Sequence, residues 1–425
     1  MAEKYINRQQ YLDELISYKD DDIIKVITGI RRSGKSTLLF EIYSDWLLEN
    51  GVNEEQIIKI DLELKSNEHL CNEDALYEYI KNKLAKGKKN YVFIDEVQNC
   101  KGFEKVVGSL HKEKVDVYIT GSNAYMLSGE LRTFITGRYI EIEMLPLSFK
   151  EYVSCNNKIT PEEMASMGRD YLRHGISPKK VMLEGLYKDY VKFGAFPKIA
   201  TYKNDSKKID TYLDGIYDSV FKKDIIDRNK ISSVATFETV MKYVLANIGS
   251  PISAKSISDY LISTNKKVYP ITVDEFLRYL VESYIVYKAE RFDVKSKEML
   301  KSLGKYYATD IGLRNYLLGY RDEMDKGHVL ENVIYFELLR RGYKVFIGKV
   351  DNKEVDFVAM RRNETLYIQV AQTVVSEDTL KRELSPFYNI KDFHQRILIT
   401  MDVDINDSYK GIKHINALDF LMQDV

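Results

Sequence analysis

Five short apolar runs punctuate the first third of the chain, at residues 23–28, 57–62, 91–94, 115–120 and 139–144. Runs of that length, bounded by polar residues, read as strands buried on both faces. Between them lie segments with helical spacing of apolar positions, among them 37–48, 74–84 and 103–112. Strands alternating with helices predict a parallel α/β sheet covered on both sides, with any ligand at the carboxyl ends of the strands.

From about residue 148 the pattern turns helical. Thr160 is placed to cap a helix opening at Pro161, the stretch 156–178 is polar, YVKFGAFP at 190–197 breaks the helices, and 209–228 reads as a long helix of mixed charge. Residues 237–247, 253–262 and 273–283 predict three further helices, followed by strands at 284–292 and 305–309 around a basic stretch at 295–301. Three helices and a hairpin is the plan of a winged helix-turn-helix. The end of the chain returns to α/β, with a helix at 329–341 and strands near 344–347, 355–360, 366–371 and 396–400. The expected segments are therefore 1–147, 148–234, 235–325 and 326–425.

Two motifs give the first segment a chemistry. Gly29-Ile30-Arg31-Arg32-Ser33-Gly34-Lys35-Ser36-Thr37 follows the first strand and opens a helix. Gly29 and Gly34 let the backbone curl so that successive N–H groups face phosphate oxygens, and the helix adds its positive end there. Lys35 would reach the β- and γ-phosphates and the Ser36 hydroxyl would ligate Mg²⁺, with Arg32, Ser33 and Thr37 completing the ATP-binding loop. The second motif, Tyr91-Val92-Phe93-Ile94-Asp95-Glu96, is a strand ending in two acids. Asp95 would hold the Mg²⁺ through a water and Glu96 would orient or deprotonate the attacking water, which implies hydrolysis as well as binding.

Composition narrows the rest. A formal net charge of −1 gives no global field that would draw the chain onto nucleic acid, so any such contact needs a local patch. Cys71, Cys100 and Cys155 are isolated, with no zinc spacing. The charged start MAEKYINRQQ is not a signal sequence, and no apolar run reaches the length of a membrane span. A cytoplasmic protein without a membrane partner is the expectation.

With these residues in view, the chain resembles a bacterial and archaeal family of AAA-type P-loop ATPases with an uncharacterised C-terminal domain. The likeness runs nearly the whole length: GIRRSGKST, YVFIDEVQN, ITGSNAYML and LSGELRTFITGRYIEIEMLPLSFKEY in the first half, then FGAFP, ENVIYFELLRRGYKV, EVDFVAM and LYIQVAQ. It implies a polar sensor at the end of the fourth strand, which Asn123 or Ser122 would fill. It also implies an arginine finger reaching a neighbouring subunit, with Arg138 preferred over Arg132, and hence a homo-oligomer. Ala195 replaces the family's usual second glycine in FGAFP.

The C-terminal segment resembles the restriction-endonuclease-like fold, whose nucleases need an acid on a helix, an Asp on a strand, and an acid-x-Lys on the next. Glu331 and Asp356 are in place, but Gln369 and Ala371 stand where the second acid and the lysine belong. A neutral amide is a poor Mg²⁺ ligand and alanine carries no charge, so this module reads as inactive in cleavage. Gln369 and Gln372 remain candidates for touching a phosphate or base edge. The proposed wing, Arg291 through Lys305, carries Lys295, Lys297, Lys301 and Lys305 and could grip a DNA or RNA backbone. The proposed recognition helix carries Asp274, Glu275 and Glu282 with only Arg278 against them, which would repel phosphate. Three functions stay open: an ATPase motor or switch acting on nucleic acid, a protein-directed ATP switch, and an ATP-gated nuclease.

Overall fold

The structure is a computed structural model that describes residues 5–124, 137–155, 178–264, 266–320, 325–403 and 408–423, with backbone alone at 178–180, 301 and 302. The helix expected after Thr160 and the candidate Arg132 lie outside the described residues. The chain divides into two compact units, residues 1–146 with 282–284, and residues 147–281 with 285–425. Among the described residues no helix is long and apolar enough to cross a membrane.

The first unit is built on the five expected strands, β1 (Ile24–Thr28), β2 (Ile57–Asp61), β3 (Tyr91–Asp95), β4 (Asp116–Thr120) and β5 (Tyr139–Glu143). They lie in the order β2-β3-β4-β1-β5, and every neighbouring pair is parallel. The three central strands are buried at every position, whereas β2 and β5 mix buried with exposed residues, as strands at sheet edges do. On one face, Leu76, Ile80, Val106 and Leu110 from two helices pack with Ile24, Val92, Ile94 and Ile119. On the other, Leu12, Leu15, Leu38, Tyr43 and Leu47 pack with Ile27, Phe93, Tyr118 and Ile142. Sandwiching the sheet leaves the carboxyl ends of β1, β3 and β4 as the place where polar groups converge.

One polar pair is buried inside this sheet at its opposite end. Lys25 of β1 meets Asp116 of β4 at 2.6 Å with both side chains fully buried, and the Tyr118 hydroxyl donates to the same carboxylate at 3.0 Å. Burial holds the Lys25 amine below its ordinary range against the pull of Asp116.

The second unit carries β6 (Pro251–Ile252), β7 (Val286–Asp293), β8 (Glu298–Ala308), β9 (Lys344–Val350), β10 (Lys353–Arg361), β11 (Glu364–Ala371), β12 (Gln395–Thr400), β13 (Ser408–Tyr409) and β14 (Ile412–Asn416). The helices Val234–Ala246, Ala254–Ser263 and Pro270–Glu282 precede the β7–β8 hairpin in the expected order. The last of them opens at Pro270, three residues ahead of the expected start, because proline is at ease in a first helical turn. Two differences from the sequence reading matter for function. β8 begins at Glu298, so of the basic stretch expected as a loop Lys295 and Lys297 lie in the turn while Lys301 falls inside the strand, where the β7–β8 register shifts. The hairpin is also continuous with the C-terminal strands: β7 pairs in parallel with β9, giving one sheet ordered β13-β14-β12-β11-β10-β9-β7-β8-β6.

The FGAFP motif has a packing role within this unit. Gly194 sits at φ +93°, where a Cβ would stand 2.4 Å from Asp310 Oδ1, and the Ala195 N–H donates to Asp310 Oδ2 at 2.6 Å. The other oxygen of Asp310 caps the helix Ile311–Leu318 through the Leu313 N–H at 2.7 Å. Burial pushes this carboxyl up to about 6, opposed by those N–H groups.

Candidate nucleotide site and a second carboxylate cluster

The loop after β1 is shaped by three left-handed residues. Gly29 turns out of the strand at φ +130°, and a Cβ there would lie 2.2 Å from the Met144 carbonyl oxygen, so only glycine fits. Arg32 at φ +69° and Gly34 at φ +105° fold the loop back into the helix that occupies residues 35–49. For Arg32 that backbone costs about 1–3 kcal/mol, strain of the kind that collects at functional loops. Arg8 braces the turn from the N-terminal segment: its buried guanidinium donates to the Ser33 carbonyl at 3.0 Å and the Leu145 carbonyl at 2.6 Å.

Two side chains of this loop are left oddly placed for a purely structural turn. Ser33 Oγ is buried with no hydrogen-bond partner. Lys35 is only 4% exposed, and its ammonium bends back onto the Gly29 and Ile30 carbonyls at 2.9 and 3.1 Å. A buried hydroxyl without a partner costs about 1–3 kcal/mol. Arg32, Ser36 and Thr37 are exposed around the same turn.

The acid pair is brought to this loop by β3. Ser36 Oγ donates to Asp95 Oδ2 at 2.7 Å, joining the two motifs directly. Thr120, the last residue of β4, donates to Asp95 Oδ1 and accepts the Glu96 N–H at 3.0 Å. Burial pushes the Asp95 carboxyl above its ordinary range, against the hydrogen bonds of Thr120 and Ser36. Glu96 is held at φ +50°, and its Oε2 accepts from Ser122 Oγ at 3.0 Å and from the Gln98 amide. These residues fit a magnesium-bound nucleotide: a glycine cradle, an unsatisfied hydroxyl, a lysine, and the Ser36 and Asp95 oxygens that a hard cation prefers.

The structure thus brings together Gly29, Arg32, Ser33, Gly34, Lys35, Ser36, Thr37, Asp95 and Glu96. Of the two sensor candidates, Ser122 touches Glu96, while Asn123 is buried beside it in sequence. Arg138 is elsewhere. It precedes β5, its carbonyl accepts the Ile24 N–H at 2.8 Å at the start of β1, and its side chain is exposed at the end of the sheet away from the loop. Sequence reasoning missed Thr120, Gln98 and Arg8. Thr120 and Gln98 lie inside the quoted ITGSNAYML and YVFIDEVQN stretches and were findable there, whereas nothing local marks Arg8.

A second carboxylate cluster lies in the C-terminal sheet. Glu331, on the helix Lys326–Arg340, and Asp356, on β10, are both buried. Lys305 of β8 enters between the strands: its ammonium lies 3.0 Å from Glu331 Oε1 and 2.8 Å from Glu354 Oε1, and the residue is 4% exposed. The Tyr307 hydroxyl donates to the same Glu331 oxygen at 2.7 Å. Desolvation works against the Glu331 charge, but Lys305, His328 and Tyr307 overcome it and hold the carboxyl below its ordinary range. Asp356 goes the other way, raised by burial and by the Glu331 charge. Lys305 is therefore not part of a phosphate-gripping wing, as the sequence suggested; its charge is spent inside the sheet.

Gln369 corrects a second expectation. Its Oε1 accepts the Asp356 backbone N–H at 3.3 Å and its Nε2 donates to Glu383 Oε2 at 2.9 Å, so the buried amide links the β10 backbone to the Glu383 carboxylate and faces no base edge. Among the described residues no group of three or more His, Cys, Asp or Glu converges so as to hold a metal ion. The donor set, with a lysine already seated on Glu331, does not fit the magnesium that metal-dependent phosphodiester cleavage would require. Farther along the hairpin, Lys295 pairs with Asp351 and Lys349 lies 3.8 Å from Asp293, so part of the wing charge is also compensated.

Comparison with known proteins agrees with the first site. A family described as AAA domain matches residues 21–153, and a domain of unknown function matches residues 184–324. An uncharacterized protein of Haemophilus influenzae is 35% identical over 425 residues, covering 100% of both chains. The uncharacterized protein MJ1544 of Methanocaldococcus jannaschii is 30% identical over 381 residues, covering 87% of this chain and 79% of its own. Among solved structures, the Walker-type ATPase paby2304 of Pyrococcus abyssi is 13% identical at a TM-score of 0.49, covering 74% of this chain and 97% of its own. With a glycine-cradled loop joined to an acid pair on a five-stranded parallel sheet, and a full-length relative at this identity, the chain belongs to the family of the Haemophilus protein and opens with an AAA-type P-loop ATPase domain.

Proposed function

We propose that this protein is a Mg²⁺-dependent ATPase, a motor or switch acting on nucleic acid. The Ser36–Asp95 contact at 2.7 Å, which joins phosphate loop and acid pair, carries the reading. The loop N–H groups and Lys35 bind the phosphates, with the lysine leaving the Gly29 and Ile30 carbonyls for the β- and γ-oxygens. Ser36, and Asp95 through a water, would hold the magnesium ion, which would supply positive charge against that of the triphosphate. Ser122 and Gln98 both grip Glu96 Oε2, which fixes the carboxylate and leaves Oε1 to accept a proton from the attacking water. Asn123 serves beside them as γ-phosphate sensor. Arg138, exposed and remote from its own loop, is suited to reach a neighbouring copy's nucleotide in a homo-oligomer.

The region around the hairpin is a winged helix-turn-helix in this reading, and the C-terminal strands are a restriction-endonuclease-like module that has exchanged cleavage for binding. Sealing of Glu331 by Lys305 supports the loss of cleavage. One observation favours a protein partner instead. The helix Pro270–Glu282 shows solvent Asp274 and Glu275 beside a 72% exposed Ile271, a face that repels phosphate and suits an apolar contact.

Steady-state ATP hydrolysis by the wild type, Lys35→Ala and Glu96→Gln, each with and without DNA and RNA, separates the readings. Stimulation by a nucleic acid that vanishes in both variants supports the first. Hydrolysis indifferent to both polymers favours the protein-directed switch, and an absence of hydrolysis contradicts both.

A further inference from the structure

A groove of 1320 Å³ opens at the end of the C-terminal sheet opposite the carboxylate cluster, where β10 hands over to β11 and where β9 and β12 begin. Asp356 lies inside β10 and Arg361 ends it, five residues and roughly 16 Å farther along the strand. The groove is rimmed by Lys344, Arg361 and Arg362, with Glu364 as the acid among its lining residues and His394 beside them. The Glu364 charge is already engaged: its Oε2 takes the Tyr343 hydroxyl at 2.7 Å and the Arg361 guanidinium at 3.1 Å. Arg361 is further pinned over the Tyr343 ring at 4.5 Å. Among the described residues no carboxylate pairs with Lys344 or Arg362, and both are exposed.

Two features single out this edge of the sheet. Phe393, on the approach to β12, is fully exposed, the most exposed large apolar side chain among the described residues. Arg362 holds the hairpin tip at φ +49°, a left-handed backbone that glycine or asparagine would adopt more easily. A flat apolar ring standing free among unpaired cations matches a polyanion that carries flat rings of its own. The stacking of a base on an exposed phenylalanine is worth about 1–3 kcal/mol and is tolerant of sequence.

We propose that this groove binds single-stranded nucleic acid, with Phe393 stacking on a base and Lys344 and Arg362 holding the backbone on either side. The inference rests on the nucleic-acid reading above and moves its contact surface from the wing lysines to the far end of the sheet. Nothing in the groove is shared with the proposed ATP site, so binding here does not require nucleotide.

Fluorescence anisotropy of labelled dT20 and U20 across a salt series tests it, using full-length wild type, a Lys344→Ala/Arg362→Ala/Phe393→Ala variant and a Lys295→Ala/Lys297→Ala variant. All five positions are exposed, and thermal melting confirms folding of each protein. The groove variant is expected to bind at least tenfold more weakly, with its log–log salt slope smaller by about 1.4, since two cations are removed. The wing variant is expected to stay within about threefold of wild type. Wild type that binds with a groove variant unchanged overturns the groove alone. Wild type that binds neither strand overturns the groove together with the nucleic-acid reading, as does capture of a labelled polyglutamate peptide in place of both strands.

Discussion

The chain gathers carboxylates in two places, and the two differ in where the opposing charge comes from. After β3, Asp95 and Glu96 are steadied by neutral donors, namely Ser36, Thr120, Ser122 and Gln98, while Lys35 is turned onto backbone carbonyls. In the C-terminal sheet, Glu331 and Glu354 close directly on Lys305, and Gln369 joins the Asp356 backbone N–H to the Glu383 carboxylate. Hydroxyls and amides orient a carboxylate without neutralising it, so the first arrangement keeps its charge for an added cation. The second already contains its cation. Removing one member of such a buried pair leaves a stranded charge, so the Lys305 cluster acts as a joint that fastens β8 to the helix Lys326–Arg340 and to β10.

The comparison can be broken from either side. The largest effect is expected at Glu96: Glu96→Gln should lower ATP hydrolysis by about 10²–10⁴-fold, the usual contribution of a general base, while nucleotide still raises the melting temperature. A variant that hydrolyses like wild type would remove Glu96 from the chemistry. Next comes Lys305→Met, expected to destabilise the protein by about 3–5 kcal/mol in chemical denaturation without changing ATP turnover. Changing Glu331 to Gln in the same molecule should recover part of that loss, because the stranded charge disappears; a loss that simply adds would deny the coupling.

The sign of the pH effect sharpens the same point. The Glu331 carboxyl is held below its ordinary range, so its pair with Lys305 stabilises the fold fully above the unfolded value of about 4.3 and is lost as pH falls through the lowered value. Without Lys305 the buried acids would bind protons more readily when folded than when unfolded. The deficit of Lys305→Met should therefore shrink as pH is lowered from 7 toward 5, and a deficit that is constant or grows over that range would contradict the pairing. The smallest effect is expected for Thr120→Val, which removes one hydrogen bond to Asp95 and one from the Glu96 amide, at about 1–3 kcal/mol in stability and about tenfold in hydrolysis. Unaltered turnover would make Thr120 a packing residue only.

How much of this was legible in the sequence follows from how local each feature is. The loop and the acid pair are runs of consecutive residues attached to buried strands, and their chemistry could be written down from spacing alone. All five strands of the first sheet were placed by their apolar runs, to within a residue or two. The short elements near the end, β13, β14 and the helix Ala417–Met422, left too few periodic positions to be read. Lys305 was misread because its role is decided by strand pairing: β8 carries it to Glu331, 26 residues away, and no local pattern separates a buried lysine from a solvated one. Gln369 was recognised as a substitution, but its link from the Asp356 backbone to Glu383 depends on the β10–β11 register. Arg8 braces a loop 25 residues on and is invisible for the same reason.

The most direct measurement is the number of Mn²⁺ ions bound per chain, titrated by electron paramagnetic resonance with and without a non-hydrolysable ATP analogue, in wild type, Asp95→Ala and Asp356→Ala. One ion that needs the analogue, disappears in Asp95→Ala and persists in Asp356→Ala is the expected result. A second ion that binds without nucleotide and is lost in Asp356→Ala would contradict it, and would return the C-terminal cluster to the class of working metal sites.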